Sequence, residues 1–595
     1  MKNKTRCFLS IILALTFILS LCACKKEENK DYVPLEEDSL PLGRYSETLE
    51  LKVGQMVTTN NYVDGEKASD NVYYNLLNEL MNIKIKSQFS AMIGSAYDYQ
   101  LNLAMVNDNL PDMFFCSQSQ LSDLIEQEMV ADLTDAYNKY ASPALRLAME
   151  YGYTGDISVW NNGNPQISKT SSVLDTATYD GKLYGIPFLD DLFSNCPLMW
   201  LRLDWLKNYA EHNNISYTNE EELLPKNFQE YLNLVDYFAN GDPDGNGKKD
   251  TYGMSLGFNA KNLQGIANAY GAYPGYYLLD DSGNYIYGTE DEKLIPVLEL
   301  LRGYYNNEVI DKNSALDGQL LKQALASGQI GSFLGEYWSI MSYGLGDAYL
   351  IDQNIDWIPW AIRDFDGKII KPLVPYNVSN DSFYCIREGF ANPEVVIIFA
   401  NHMVDRYFSS DGELTKKLYE LSKEEKYKNV FFEIEMYSPF RMDAPNKNIR
   451  YAFDVQKALK TNDTSFLSLH EMMYYDRITA YLKDPKGEGK MYYPFFKIFG
   501  EGGAYSQLAQ YSQYDYEKDK NDLVVNFIRP GFYKTSTEKM KEYGSIISDY
   551  EYQELVYMYT GKDVITKDVF KKFTNGLDTK GMTQILEELN KKWIH

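Results

Sequence analysis

A regular exchange of strand-patterned and helix-patterned segments, starting near residue 48, limits this chain's fold more than any other feature. In TLELKVGQMV, Leu49, Leu51 and Val53 alternate with Glu50 and Lys52, the period of a strand. NVYYNLLNELM then places Val72, Tyr73, Leu76, Leu77 and Leu80 along one helical face, and NIKIK returns to strand spacing. LAMVNDNLPDMFF predicts a helix end, an Asn-rich turn and a buried strand. Strand, helix and strand in that order call for a parallel sheet covered by helices, so the fold class is α/β.

The N-terminus predicts export. Lys2, Lys4 and Arg6 precede an apolar run from Cys7 to Leu21, which is short for a membrane span, and LCAC leads into the charged KKEENK. LCAC resembles a bacterial lipobox, implying a signal peptide over 1–23, cleavage before Cys24 and acyl lipid (palmitate) on its thiol. An ordinary signal peptide is the alternative. Residues 24–47 are polar and aperiodic, as expected of a tether. A net charge of −26 argues against nucleic-acid binding, and 45% hydrophobic residues argue against disorder. Cys116, Cys196 and Cys385 are too widely spaced for a CxxC pair or a disulfide framework. The 51 tyrosines supply flat apolar faces with polar edges, which suit stacking on sugar rings, although most must serve core or surface.

GDPDGNGKKDTYG, residues 241–253, has the spacing of a calcium loop. Asp242, Asp244, Asn246, Lys248 (through its carbonyl) and Asp250 fall at positions 1, 3, 5, 7 and 9, with Gly247 at the turn. Gly253 stands where a standard loop has its bidentate glutamate. A helix precedes the loop and an extended segment follows, which excludes a calcium sensor that opens a helix pair. The alternative is an acidic turn that holds no metal.

Six segments in order, LAMVNDNLPDMFF, TYDGKLYGIPF, PLMWLRLDWLKN, DPDGNGKKDTYG, ASGQIGSFLGEYW and NPEVVIIFANHM, resemble the family 1 extracellular solute-binding lipoproteins. These are the oligosaccharide receptors of ABC importers, and the alginate-oligosaccharide-binding proteins are the most similar subgroup. The resemblance covers about 48–410 well and the tail more loosely. It implies a type II, periplasmic-binding-protein-like fold with two discontinuous lobes joined by hinge strands. Lobe one is then 48–186 with a return at 373–410, and lobe two is 187–372 with the calcium loop. Residues 411–595 add helices mainly to lobe two. In the alginate-type receptors a similar loop holds structural calcium and has an acidic residue where Thr251 stands here.

The resemblance also places a ligand cleft at the crossings. Asn60, Asn61, Ser117 and Gln118 are candidates for bonding sugar hydroxyls, and Asp190 and Asp191 stand beside Phe188. Trp200 and Trp338 are the candidates for stacking, with Glu336 and Tyr337 beside the second, while Trp205 reads as core. Arg441 suits either an acidic sugar or a structural ion pair. His212 and His402 read as surface residues, and His470 as a core histidine. No HExxH, GxSxG, P-loop or GxGxxG motif is present, so no catalytic residue is expected. The expected protein is a non-enzymatic, lipid-anchored monomer on the outer face of a bacterial membrane. It would capture an oligosaccharide and deliver it to an ABC permease. A surface glycan-degrading enzyme, or a peptide or signal receptor on the same scaffold, is the alternative.

Overall fold

The computed structural model describes residues 32–57, 62–63, 65–151, 160–161, 164–165, 173–255, 263–312, 318–374, 382–408, 412–427, 437–444, 446–512, 528, 530–532 and 536–592. The leader with Cys24, and Asn60 and Asn61, lie outside the described residues.

The chain opens with β1 (Leu49–Val57), α1 (Val72–Met81), β2 (Ile83–Met92), α2 (Ser95–Val106), β3 (Met113–Ser117) and α3 (Gln118–Glu126). β1 runs parallel to β2 from Leu49↔Ile83 to Val57↔Met92, and to β3 at Val53↔Met113. This is the sheet that the alternating pattern predicts. Asn71 starts α1 by accepting from the Tyr74 amide, and Asn82 ends it in the left-handed region at φ 53°. Its fully buried residues are Tyr73, Tyr74, Leu77 and Met81. The buried face is thus rotated from the expected one, and Val72, Leu76 and Leu80 sit at its margin.

After a short strand β4 (Ile186–Pro187), the chain builds a second sheet from β5 (Leu198–Arg202), β6 (Ser332–Gly335) and β7 (Trp357–Trp360). It then returns through β8 (Ser382–Ile386). The first sheet has the order β2-β1-β3-β8-β4, with β8 antiparallel to both neighbours, and the second has the order β6-β5-β7, antiparallel throughout. Each sheet has its own apolar core. One gathers Leu51, Met113, Ile186, Tyr384 and Phe399. The other gathers Trp200, Trp205, Val235, Trp360 and Leu555. The two-lobe α/β architecture follows from these two cores.

α4 (Leu203–His212) and α5 (Phe228–Asn240) flank the second sheet, and α6 (Val395–Phe408) and α7 (Glu413–Lys423) cover the first. The chain then crosses again. Phe440 and Met442 are buried in the first core and Ala444 in the second, with the Asp443 amide donating to Leu189 of the earlier crossing at 2.9 Å. α8 (Lys447–Thr461), α9 (Leu469–Lys483), α10 (Ala504–Ser512) and α11 (Glu538–Thr560) follow, and all contribute to the second core.

Two expectations are corrected here. Residues 32–47 are an ordered arm on the first lobe, where the tether was expected. Leu35 pairs with Tyr45, which is fully buried and donates to Glu394, and the Val33 backbone exchanges hydrogen bonds with Asn392. Isolated apolar residues among charges carry no period, so the pattern concealed the docking. His402 is buried on α6 with Nε2 3.4 Å from the Gly43 carbonyl, and burial pushes its pKa down to about 4. His470 does pack in the core, between Tyr451 and Tyr474. The 411–595 region also begins on the first lobe, where Leu414 and Leu418 of α7 are buried.

Candidate functional site

Hydrogen-bond register brings the candidate ligand residues to one sheet edge. Ser117 at the end of β3 pairs with Ser382 of β8, and Phe383 of β8 pairs with Pro187 of β4. Ser117, Gln118 and Phe188 therefore share the edge from which the chain leaves the first lobe. Ser117 is occupied by a capping box, accepting from the Gln120 amide at 3.3 Å while its own amide donates to Gln120 Oε1 at 2.9 Å. Gln118 is buried, and its Nε2 finds no partner within the protein. Phe188 is half-buried and meets Phe115 and Tyr384 edge-on at 5.9 and 6.2 Å.

Asp190 and Asp191 follow. Burial raises the pKa of Asp190, helped by Asp443 and opposed by Arg441. Asp191 is fully buried, and its Oδ1 accepts from the Phe193 amide at 2.9 Å and the Tyr505 hydroxyl at 3.0 Å. Its Oδ2 accepts from the Asn448 amide at 3.2 Å. Burial, then the neighbouring Asp190 charge, push its pKa up to about 8 against those hydrogen bonds. Asp191 thereby ties the crossing to α8 and α10. A glycosidase needs two carboxylates facing each other across a cleft. Asp190 and Asp191 are consecutive in one loop, and Asp191 is held by three donors.

From the second lobe, β6 ends in Gly335 and delivers Glu336, Tyr337 and Trp338 to the same crossing. Tyr337 Oη accepts from Asn448 Nδ2 at 3.0 Å, and its ring lies 5.0 Å from that of Tyr505. Trp338 is half-buried, and its Nε1 donates to the Ser194 carbonyl at 3.0 Å. Glu336 Oε2 accepts from Ser339 Oγ at 3.3 Å, and burial raises its pKa. Trp200 differs from expectation. It is fully inside the second core and donates through Nε1 to the Glu336 carbonyl at 2.9 Å. It sits at the middle of a strand buried along its whole length, so it holds up the floor and offers no ring face to a ligand. Trp205 is core as expected, under the Arg202 guanidinium at 4.2 Å.

Tyr505, Asn448, Asp443 and Lys447 complete this constellation and were not singled out from sequence. Asp443 pairs with Lys447 at 2.7 Å and with Arg406 at 3.6 Å. Arg441 is half-buried, and its amide donates to Tyr384 Oη at 2.9 Å. Among the described residues no carboxylate lies within ion-pair distance of its guanidinium.

The acidic loop sits at the opposite end of the second sheet. Tyr252 bridges to Ile330, ahead of β6, whereas Trp338 lies beyond the strand's other end. Asp242 Oδ2 accepts from the Gly247 amide at 3.1 Å, which closes the turn, and Gly247 adopts φ 74°. Asn246 Nδ2 donates to Asp244 at 2.8 Å and to Asp250 at 3.2 Å, so the carboxylates converge. Burial and the neighbouring acids Asp250 and Asp242 raise the pKa of Asp244. The residue types at positions 1, 3, 5 and 9 are those that offer oxygen to a hard divalent cation, but here Asn246 turns its Nδ2 towards the carboxylates while its Oδ1 accepts from the Lys248 amide at 2.7 Å. Position 12 cannot contribute, because a Cβ on Gly253 would lie 2.3 Å from the Val235 carbonyl oxygen. Thr251 Oγ1 is turned away, donating to the Phe238 carbonyl at 2.8 Å. Among the described residues no group of three or more His, Cys, Asp or Glu side chains is arranged as a metal site. Any cation here relies on the Asn246 and Lys248 oxygens as well.

No family model matches the chain. A curated relative, Lipoprotein LipO of Bacillus subtilis (strain 168), is 25% identical over 329 residues, 51% of this chain and 59% of that protein. The match thus spans less than two thirds of the relative. Among solved structures, the alginate-binding protein AlgQ2 without calcium ion is 16% identical with a TM-score of 0.56, covering 92% of this chain and 98% of its own. The Streptococcus pneumoniae ABC-transporter substrate-binding protein FusA in complex with kestose is 14% identical with a TM-score of 0.54, covering 92% and 98%. A human-milk-oligosaccharide (HMO) binding solute-binding protein from Bifidobacterium longum infantis is 12% identical with a TM-score of 0.53, with the same coverage. The resemblance read from the six motifs thus recurs in the structure. The chain has the two-lobe solute-binding fold of these structures.

Proposed function

We propose that this protein is an extracellular solute-binding protein of an ABC importer that closes its two lobes on an oligosaccharide and performs no chemistry on it. The observation that carries this reading is that residues past the end of β6 reach the crossing that follows Phe188, where Trp338 donates to the Ser194 carbonyl and Tyr337 shares Asn448 with Asp191, between two independent cores. Flat aromatic faces next to fixed carboxylates and hydroxyls are what a sugar ring and its hydroxyl groups need. Asn60, Asn61, Ser117, Gln118 and Glu336 are the further candidates for hydroxyl contacts.

Cys24 is the proposed lipidation site and holds the protein on the outer face of the membrane. Among the described residues no helix is long and apolar enough to cross a membrane. A monomer that releases its sugar to permease subunits is the proposed working form. Calcium, bound by Asp242, Asp244, Asn246, Lys248 and Asp250, supplies positive charge that lets the acidic loop pack against α4 and α5. Asn208 on α4 already holds this loop through the Pro243 carbonyl at 2.7 Å.

The test is calorimetric titration of the purified full chain against a panel of neutral and acidic oligosaccharides, with recovered glycans analysed by mass spectrometry. Saturable binding with every glycan recovered intact is expected. Cleavage of any glycan by the pure protein removes the non-enzymatic reading, and binding confined to peptides removes the sugar.

A further inference from the structure

The ordered arm 32–47 lies at one end of the first sheet, and the candidate ligand residues of lobe one lie at the other. β1 and β2 start together, with the Leu49 amide donating to the Asn82 carbonyl at 3.1 Å. The arm is bonded to this base. The Tyr45 amide donates to the Met81 carbonyl at 3.0 Å, and Asn82 Nδ2 donates to the Tyr45 carbonyl at 2.9 Å. The Arg44 guanidinium reaches the Glu79 carbonyl. Asn401 of α6 donates to the Pro41 carbonyl at 2.6 Å, and a Cβ on Gly43 would lie 2.5 Å from Ile398 of the same helix. Asn392, which holds Val33, follows β8, and β8 runs antiparallel to β3, so that contact is at the base too. Ser117 and Ser382 pair at the opposite edge, where β3 ends and β8 begins.

This placement limits how the protein can stand on a membrane. Residues 24–31 alone separate Cys24 from the start of the arm, and at roughly 3.3–3.6 Å per residue they span at most about 29 Å. β1 itself covers about 30 Å from the base to the cleft edge at roughly 3.3 Å per residue. With the arm docked, the tether is too short to let the cleft edge meet the lipid first. Were the arm free, residues 24–47 would span up to about 86 Å, and either end of the lobe could approach. The base also has an interfacial character. Tyr32 and Leu40 of the arm are 42% and 44% exposed, and exposed Lys139 lies over the Tyr140 ring at 4.7 Å. Side chains with an apolar body and a polar tip suit the boundary between lipid and water. Glu37 and Asp38 are exposed on the same arm, so charge does not draw this face to anionic lipid and the tether must.

We propose that the base of lobe one, around the docked arm and Asn392, is the surface this protein turns to the lipid bilayer, so that the cleft edge and the second lobe stand away from it. The orientation rests on the lipid proposed at Cys24. The test uses the full lipidated chain on phosphatidylcholine vesicles that carry a rhodamine-lipid energy acceptor. A donor dye is attached through Lys84→Cys, exposed at the start of β2, or through Ser119→Cys, exposed just beyond the end of β3. The cysteines at 116, 196 and 385 are buried. Energy transfer is expected to be stronger from the label at 84 than from the label at 119. Inserting about sixteen Gly/Ser residues after Lys30 gives the docked protein the reach of a free arm, and the difference should then be lost. Equal transfer from the two labels at native tether length, stronger transfer from 119, or a difference that survives the insertion overturns the proposal. A chain that fails to float with the vesicles removes the Cys24 lipid and the orientation together, and flotation separates that outcome from the others. Failure of the cleft to bind any oligosaccharide leaves the result standing.

Discussion

The protein handles two clusters of neighbouring carboxylates in opposite ways. At the crossing, Asp190 and Asp191 are drawn inside, and Asp191 is surrounded by protein donors from Phe193, Asn448 and Tyr505. In the loop, Asp242, Asp244 and Asp250 stay near the surface, where they accept from the Gly247 amide and the Asn246 side chain. Like charges repel strongly at short range, more so where water is excluded. The inner pair is relieved by hydrogen bonds from the protein, and the proposed calcium would relieve the outer set. The inner arrangement lies where the lobes join, and the outer one lies at the far end of the second sheet from Trp338.

Breaking the inner cluster has the largest expected effect. Asp191→Ala leaves three donors without their acceptor in the interior and should lower stability by about 3 kcal/mol or more, read from urea unfolding. The same residue gives a pH signature. Because its pKa is raised from 3.8 to about 8, the folded protein keeps a proton that the unfolded chain has released between those values. The contribution of Asp191 to stability should therefore be fullest below pH ~4 and decline as pH rises towards ~8, and Asp191→Asn should remove that decline. An unchanged pH profile in Asp191→Asn would mean that the carboxylate is ionised at the crossing.

Breaking the outer cluster comes next. Chelation should lower Tm by the equivalent of about 2–3 kcal/mol if calcium is normally some hundredfold above its Kd. Asp242→Ala with Asp244→Ala should abolish the sensitivity to chelator, while sugar affinity stays within about threefold because the loop lies beyond the far end of β6. If sugar affinity falls with calcium, the two clusters are not separate devices.

Two smaller effects sharpen the division. Trp338→Ala should weaken oligosaccharide binding by about tenfold, roughly 1.4 kcal/mol, whereas Trp200→Phe should change stability and leave affinity alone. Lys541 of α11 pairs with Glu126 of α3 across the lobes, both partly exposed. Lys541→Ala should shift affinity by less than about 1 kcal/mol, and the shift should vanish at high salt.

The contrast also shows what a sequence discloses. The loop was readable because its donors are contiguous, and Asp242 through Asp250 state their spacing outright. β1 to β3 were readable because each strand and helix carries its own period. Asp191 was readable as a cleft carboxylate, but its role depends on Tyr505, more than three hundred residues away, and no local pattern records that bond. Trp200 and Trp338 were both candidates for stacking in sequence, the first among apolar residues and the second beside Glu336 and Tyr337. Only the register separates them, since Trp200 is paired on both sides by Phe333 and Pro359 while Trp338 lies past the end of its strand. The docked arm at 32–47 and the buried His402 were missed together, because each is buried by the other's segment.

The most direct test of capture between the lobes is an inter-lobe distance, measured by electron paramagnetic resonance between spin labels at Val106 and Ile351. These are 85% and 72% exposed, one on each lobe, and the cysteines at 116, 196 and 385 are buried and form no disulfide. Adding a bound oligosaccharide should shift and narrow the distance distribution, and Trp338→Ala should restore the ligand-free distribution at the same sugar concentration. A distribution unchanged while calorimetry shows saturation would place the sugar elsewhere and contradict closure on a ligand between the lobes.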